Sequence, residues 1–152
     1  MKCKLVAATV AMTLGVGFTL EAAAQAKPEV LVKQRQSAMT LQGKYFGPMA
    51  GMAQGKIPYD AKVVQRNAGF LEALSQMPWD GFHESTKGEK SAALPAIWEK
   101  AAEFKQASER LENEAAMLAQ VSKSGDEAAV KAQMGAVGKS CGGCHETFRE
   151  KT

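Results

Sequence analysis

Residues 126–148 read Asp-Glu-Ala-Ala-Val-Lys-Ala-Gln-Met-Gly-Ala-Val-Gly-Lys-Ser-Cys-Gly-Gly-Cys-His-Glu-Thr-Phe, and this stretch decides the fold. Its apolar and cysteine positions recur in steps of four and three, which is the spacing of one helix face packed on other helices. They are Val130, Met134, Val137, Cys141, Cys144 and Phe148. Because both cysteines lie on this inward seam, we expect whatever they hold to lie in or against a helical core.

The same spacing recurs upstream, where it predicts three more helices. The seam of the third predicted helix comprises Ile97, Ala101, Phe104, Ser108, Leu111, Ala115 and Leu118. From caps and prolines we predict helices from Pro28 to Gly47-Pro48 (or past it with a kink), from Asp60 to before Pro78, from Pro95 to near Val121, and from Asp126 almost to the C-terminus. The fold class is therefore all-α, an up-down-up-down antiparallel four-helix bundle.

The first residues have the pattern of an export signal. Lys2 and Lys4 precede an uncharged apolar run at 5–20, and small residues follow around Ala24 and Ala26. This predicts a signal peptide at 1–24, with cleavage after Ala24 or after Ala26. A retained membrane anchor is the alternative, but the run is short for a span of about 20 residues. We expect a periplasmic protein whose single domain covers residues 25–152.

Charge and composition exclude several function classes. The 19 basic and 16 acidic residues of the chain become 17 and 15 without the predicted signal, a net charge of +2. This is too small to indicate nucleic-acid binding. The sequence shows no Ser/His/Asp set, no plausible carboxylate pair and no phosphate-cradling loop. We therefore expect no enzymatic activity.

Cys141-Gly142-Gly143-Cys144-His145 is the attachment signature of c-type haem. Two thiols three positions apart lie on one helix face, where they can bond to one edge of the porphyrin. His145 can then supply the axial imidazole to the iron. Four glycines at 135, 138, 142 and 143 are costly in a helix, about 1 kcal/mol each, but let a flat macrocycle approach the backbone.

Other uses of a cysteine pair remain open at this point. A thioredoxin-like redox pair needs a strand before its helix, and no stretch alternates like a strand. A zinc site needs a fourth ligand, and the other histidine, His83, falls in a predicted loop. A disulfide between Cys141 and Cys144 would close almost no loop and stabilise little.

The second axial position of the iron has to be supplied from upstream, since seven residues follow His145 in this sequence. Met39 lies on the seam of the first predicted helix, together with Val32, Gln36, Gly43 and Phe46. Its side chain can therefore face the iron, and a thioether can ligate haem iron.

Five blocks of the sequence resemble the cytochromes c′, c-type cytochromes with the haem motif on the last helix of a four-helix bundle. The resemblance covers nearly all of residues 25–152. The blocks are Lys27-Pro28-Glu29, Arg35-Gln36-Ser37-Ala38-x-Thr40, Pro78-Trp79, Ile97-Trp98-x-x-Ala101-x-x-Phe104-Lys105, and the C-terminal Cys-x-x-Cys-His-x-x-x-Arg.

This resemblance implies one covalent haem c and specific roles for four residues. Arg35 and Gln36 would contact a haem propionate, Met39 would cover the distal face, and Arg149 would shape the electrostatics beside His145. It further implies a five-coordinate, high-spin iron that binds nitric oxide and carbon monoxide. It also implies a homodimer through the first and second helices.

Several roles have simpler alternatives. Arg35 could be a solvated charge, since arginines are mostly exposed, and Arg149 could favour the helix C-terminus. Trp79 and Trp98 could be core aromatics, and Phe46, Phe70 and Phe104 could line the haem pocket or only the core. Coordination by Met39 would instead give a low-spin electron carrier. A haem-free protein with a redox-active cysteine pair is the third hypothesis.

Overall fold

The computed structural model describes residues 26–151 of the chain. In that range five α-helices occur: α1 Pro28–Ala53, α2 Ala61–Ser75, α3 Ala96–Glu99, α4 Ala101–Val121 and α5 Glu127–Phe148. Two short 3₁₀ turns, Trp79–Phe82 and Glu84–Thr86, lie between α2 and α3. The predicted signal peptide, residues 1–24, lies outside the described residues, and so does Ala24, one of the two proposed cleavage positions. Ala26, the other, is the first described residue.

Each of the four long helices packs against two others, which closes the bundle. Helix α1 contacts α2 and α5, and α4 contacts the same two helices from the other side. The core consists of buried side chains from all four; among the largest are Met49, Val64, Leu71, Leu118, Val130, Met134 and Val137. The predicted fold class, an up-down-up-down four-helix bundle, is confirmed.

Two of the predicted helix starts are confirmed by their caps. The carboxylate of Asp60 accepts hydrogen bonds from the backbone N–H groups of Lys62 and Val63, at 2.9 and 3.1 Å. The carboxylate of Asp126 accepts one from Ala129 N at 3.0 Å. Each carboxylate satisfies donors that the first helical turn leaves free and lies at the positive end of the helix dipole.

Helix α1 continues through Pro48 to Ala53 and does not end at Gly47-Pro48. Proline inside a helix removes one backbone hydrogen bond and costs about 3 kcal/mol. The continuation buries Met49 and Met52, and burial of each such side chain contributes about 1.5–3 kcal/mol. The tertiary gain therefore offsets the local cost.

The predicted third helix, from Pro95 to near Val121, is in fact two helices. Lys100, with φ −118° and ψ 46°, separates α3 from α4. Two contacts hold α3 in its own direction: Ile97 is buried, and Trp98 Nε1 donates a hydrogen bond to Phe82 O at 3.0 Å. The helix period continues through this break in the sequence, which is why the pattern gave one helix.

None of the helices in residues 26–151 is both long and apolar enough to cross a membrane.

Arg35 holds the segment between α2 and α3 to α1. The guanidinium donates from Nη1 to Gly81 O at 2.6 Å and to Thr86 Oγ1 at 3.0 Å. It donates from Nη2 to Ser91 Oγ at 2.8 Å and lies over the Phe82 ring at 4.5 Å. One side chain therefore fixes the position of residues 81–91.

Gly81 is required where this segment crosses α1. A Cβ at this position would lie 2.7 Å from the Cβ of Arg35 and 2.8 Å from Leu31 O, both closer than packed atoms allow. We expect Gly81→Ala to lower the free energy of unfolding by about 2–3 kcal/mol through overpacking. The check is chemical denaturation of the holoprotein. The matched control is Gly69→Ala in α2, where nothing lies within 4 Å; it should be neutral or stabilise by up to about 1 kcal/mol. Equal stability of the two variants would contradict the close approach.

The end of α5 pairs with the last residues of the same segment. Leu94 N donates to Phe148 O at 3.0 Å, and Glu150 N donates to Ala92 O at 2.9 Å. Ala93 and Arg149 thereby form an isolated antiparallel bridge. Residues 91–94 are thus attached to the chain directly after the helix that carries the cysteines.

Candidate cofactor site

The Cys141, Cys144 and His145 side chains lie within about one turn of α5. Both thiols are free and half-buried, and Cys141 packs against the core cluster. The prediction that the cysteines lie on the inner seam is confirmed. His145 is more exposed than either cysteine, and it reaches the same space.

Two adjoining cavities, of about 420 and 280 Å³, lie between α5 and the other helices. Four residues line both cavities: Met39, Cys144, His145 and Arg149. The larger one is otherwise lined by Arg35, Gln36, Thr40, Phe82, Ser91, Ala92, Ala93, Ile97, Phe104 and Phe148. The smaller one extends into the bundle and is otherwise lined by Gln42, Gly43, Phe46, Leu71, Trp79, Ala107, Leu111 and Cys141.

Burial sets the protonation of the α5 residues. It raises the pKa of both thiols. The pKa of Cys144 is raised further by the nearby negative charge of an ionised Cys141. Burial also lowers the pKa of His145, and the positive charge of Arg149 lowers it further. The imidazole is therefore neutral at pH 7, and a neutral imidazole nitrogen is the form that ligates a metal ion.

Arg35 is a buried cation without a carboxylate partner. It is only 3% exposed, and in residues 26–151 no Asp or Glu oxygen lies within ion-pair distance of it. Burial lowers its pKa, but arginine keeps its proton in proteins. The alternative that Arg35 is a solvated helix charge is wrong. A buried charge is ordinarily paired, and Arg35 lines the larger cavity, so this cavity fits an anionic group.

The structure brings the other predicted site residues to the same two cavities. Gln36, the residue after Arg35 in α1, also lines the larger cavity. Met39 lines both and is half-buried. Arg149 follows α5 directly; its backbone N–H donates to His145 O at 3.3 Å.

Of the five aromatic residues singled out in the sequence, three reach the cavities, and Phe70 and Trp98 do not. Phe46, Trp79 and Phe104 line the cavities, so Trp79 is more than the core aromatic that the sequence favoured. Phe104 contacts the rings of Trp79, Phe82 and Phe148 edge-on. Phe70 lies elsewhere, 45% exposed and against Tyr45.

Sequence reasoning missed a wall of the larger cavity, formed by Phe82, Ser91, Ala92 and Ala93. These residues have neither periodicity nor a motif. The one signal in the sequence is Gly81, which marks a close approach but does not say to which helix.

The alternatives for the cysteine pair fail on geometry. In residues 26–151 the only β-type pairing is the isolated bridge at Ala93 and Arg149, so no strand precedes α5 as a thioredoxin-like site requires. That part of the chain also has no group of three or more His, Cys, Asp or Glu side chains that could hold a metal ion. His83 hydrogen-bonds with Ser85 and lines neither cavity.

The residues present fit a haem. Two thiols and a neutral imidazole lie along one wall, apolar and aromatic side chains line the interior, and a buried cation lies at one end. A four-helix bundle with this arrangement on its last helix defines a c-type cytochrome of the bundle class.

The sequence model of the family Cytochrome C′ matches residues 30–149. The cytochrome c′ of Rubrivivax gelatinosus is 43% identical over 126 residues, which is 82% of this chain and 98% of that protein. The cytochrome c′ of Alcaligenes xylosoxydans xylosoxydans is 40% identical over 83% of this chain and 98% of that protein. The chain belongs to the cytochrome c′ family, whose members carry covalently attached haem c.

Solved structures agree with this assignment. The structure of Rubrivivax gelatinosus cytochrome c′ has a TM-score of 0.78 at 42% identity, covering 82% of this chain and 98% of that one. A nitric oxide complex of a single-residue variant of cytochrome c prime from Alcaligenes xylosoxidans has a TM-score of 0.75 at 40% identity, covering 83% and 98%.

Proposed function

We propose that this protein is a periplasmic mono-haem cytochrome c′ with a five-coordinate, high-spin iron that binds nitric oxide and carbon monoxide, with electron transfer as a secondary role. Cys141 and Cys144 hold the haem by thioether bonds, and His145 is the only protein ligand of the iron. The haem supplies the iron centre that binds a diatomic gas. The polypeptide supplies the attachment, the axial imidazole and a restricted space.

One observation carries this proposal: the smaller, inner cavity has a mostly apolar lining across from α5. Met39 lies there on α1, and Phe46, Leu71 and Trp79 extend the lining inward. In the described residues no imidazole other than that of His145 reaches either cavity. Such a wall excludes water and admits a small uncharged gas. The nitric oxide complex of the Alcaligenes relative supports the same ligand class.

The polar end of the larger cavity supports one orientation of the haem. Arg35, a buried cation without a carboxylate partner, and the adjacent Gln36 would contact a propionate. A charge-assisted hydrogen bond of this kind contributes about 1.5–3 kcal/mol. Arg149 lies beside His145, where its charge disfavours a second positive charge on the imidazole.

The test is a resonance Raman and optical spectrum of the purified holoprotein. The proposal expects high-spin, five-coordinate haem in both oxidation states, and carbon monoxide binding to the ferrous form without loss of an endogenous ligand. A six-coordinate spectrum with methionine character would contradict it.

A low-spin electron carrier is the second candidate, and the position of Met39 favours it. This thioether lines both cavities, as do the motif residues Cys144 and His145. If its sulfur bonded the iron, the protein would be an electron shuttle and gas binding would require displacement of Met39.

The proposal also includes export to the periplasm and the absence of enzymatic activity. Haem attachment to Cys-x-x-Cys-His outside the cytoplasm agrees with the export pattern in residues 1–24. In the described residues, the one imidazole that reaches the cavities is committed to the iron, so we assign the protein no enzymatic reaction.

We also propose a homodimer through α1 and α2. Leu41 and Phe70 are large apolar side chains with 40% and 45% of their surface exposed. The Phe70 ring contacts that of Tyr45 at 4.8 Å, and Tyr45 lies one helical turn after Leu41 on the same face of α1. The three side chains form an exposed patch that spans both helices.

We expect Phe70→Glu to dissociate the dimer, because a charge would then be buried against an apolar surface. Sedimentation velocity should show the dissociation constant rise about a hundredfold or more, which corresponds to about 3 kcal/mol. Met117→Glu is the control, since Met117 is 53% exposed but lies on α4. A dimer that survives Phe70→Glu, or one that Met117→Glu disrupts equally, would place the interface elsewhere.

A further inference from the structure

The Ser91 hydroxyl joins two parts of the site. Its oxygen accepts a hydrogen bond from Arg35 Nη2 at 2.8 Å and another from the Ala93 backbone N–H at 3.3 Å. A serine hydroxyl has two acceptor lone pairs and one proton to donate. Both lone pairs are therefore committed, and the proton is left for a third partner.

No acceptor for that proton is found in residues 26–151, although Ser91 is half-buried and lines the larger cavity beside Arg35 and Gln36. The two committed lone pairs fix the hydroxyl, so its proton has to point away from Arg35 and Ala93. An acceptor in the cavity would complete the set of three hydrogen bonds. The acceptors that a haem presents to a protein at this end are its propionate oxygens.

We propose that Ser91 donates its hydroxyl proton to a haem propionate and thereby ties that propionate to the end of helix α5. This rests on the proposed orientation of the haem, with its carboxylates toward Arg35. Ser91 is then a binding residue for the cofactor, in addition to its part in holding the 81–91 segment.

The tie to α5 follows from backbone hydrogen bonds that begin next to Ser91. Ala92 O accepts from Glu150 N at 2.9 Å, and Leu94 N donates to Phe148 O at 3.0 Å. The same stretch of α5 carries His145 three residues before Phe148. Ser91 therefore lies between two attachments of the haem to the protein, the propionate at one end and the axial imidazole at the other.

The propionate contact and the backbone pairing with the end of α5 are coupled through Ser91. Because such coupling is reciprocal, each of the two stabilises the other. An ionised propionate holds Ser91 and so orders residues 91–94 against α5. Loss of the Ser91 hydroxyl should weaken both the propionate contact and the backbone pairing.

The experiment compares Ser91→Ala, Ser91→Thr and Ser85→Ala in the holoprotein. The first readout is the pH dependence of the reduction potential, which reports the haem-linked carboxylate. The second is amide hydrogen exchange at Leu94 and Glu150. Ser91→Ala should raise the proton affinity of the carboxylate about threefold to tenfold, since a hydrogen bond to the charged form is lost. It should also speed exchange at both amides about tenfold.

The two other variants separate this role from a general effect on the segment. Ser91→Thr keeps a hydroxyl and should restore both readouts to wild-type values. Ser85→Ala removes a serine of the same segment whose hydroxyl lies 2.9 Å from His83 Nδ1, outside the cavities, and should change neither.

Faster exchange in Ser91→Ala with an unchanged carboxylate would overturn the proposal, because it would show a structural role alone. If the proton affinity of the carboxylate changes but amide exchange at Leu94 and Glu150 does not, the tie to α5 is overturned. Gln36→Ala tests the proposed orientation of the haem separately from the role of Ser91. If Gln36→Ala changes the carboxylate and Ser91→Ala does not, the inference on Ser91 fails while the orientation stands. If neither changes it, the orientation itself fails, and the inference fails with it.

Discussion

Replacing both Cys141 and Cys144 by alanine is expected to abolish covalent haem attachment and to lower the free energy of unfolding by on the order of 5 kcal/mol. The two thiols are the only cysteine side chains in residues 26–151, and both line the cavities. Without thioether bonds, His145 and packing alone would not retain the haem, so it would be absent from the denatured band and would leave the cavities of the folded chain empty. The emptied cavities are lined by Phe46, Leu71 and Trp79, which would lose packing partners on one side.

Haem staining after denaturing electrophoresis measures the first effect, and thermal unfolding measures the second. Cys3→Ala is the control, because Cys3 belongs to the predicted signal and should affect neither. Each single variant should keep one thioether bond. Haem that stays on the denatured double variant would contradict attachment at this motif. A wild-type protein without haem stain would instead support the redox-active cysteine pair.

The sequence predicted the helices well where local signals and packing agree. Asp60 and Asp126 begin helices because their carboxylates satisfy free N–H groups, and that chemistry is local. The sequence left two ends open for the first helix at Pro48 and wrongly predicted one continuous helix across Lys100; at both places packing decides. Burial of Met49 and Met52 carries α1 past a proline, and the contacts of Ile97 and Trp98 separate α3 from α4 despite a continuous period.

The candidate site could be predicted as far as helix spacing reaches. Cys141, Cys144 and His145 share a face by their spacing, and Met39 joins them through the seam of α1. Arg35 was assigned to the haem from resemblance, but its second task could not be foreseen. Its bonds to Gly81, Thr86 and Ser91 join residues 46 to 56 positions apart in a segment without periodicity. Such contacts exist only once the bundle has placed α1 beside that segment.

The second large effect is expected at Met39, because this side chain lies between the two cavities. Its half-buried thioether lines both of them, on the helix that lies across from His145. If it screens a five-coordinate iron, an incoming gas has to push it aside. Moving an apolar side chain of this size out of its packed position costs about 1.5–3 kcal/mol. Met39→Ala removes that cost, so carbon monoxide should bind the ferrous protein about 10-fold to 100-fold more tightly.

Met39→Leu is the variant that separates screening from coordination, since leucine keeps the apolar volume but has no sulfur. If Met39 screens the iron, the leucine variant retains the high-spin spectrum and nearly the wild-type affinity for carbon monoxide, and only the alanine variant gains affinity. If Met39 is an axial ligand, the wild type is low-spin and both variants become high-spin with a large gain in affinity. Equilibrium titration of the ferrous protein with carbon monoxide, with spectra recorded before and after, measures both quantities. Met117→Ala on α4 is the control, because that exposed methionine lines neither cavity and should change nothing. Unchanged affinity in Met39→Ala would exclude both roles, since neither a screen nor a ligand can be removed without effect on the space above the iron.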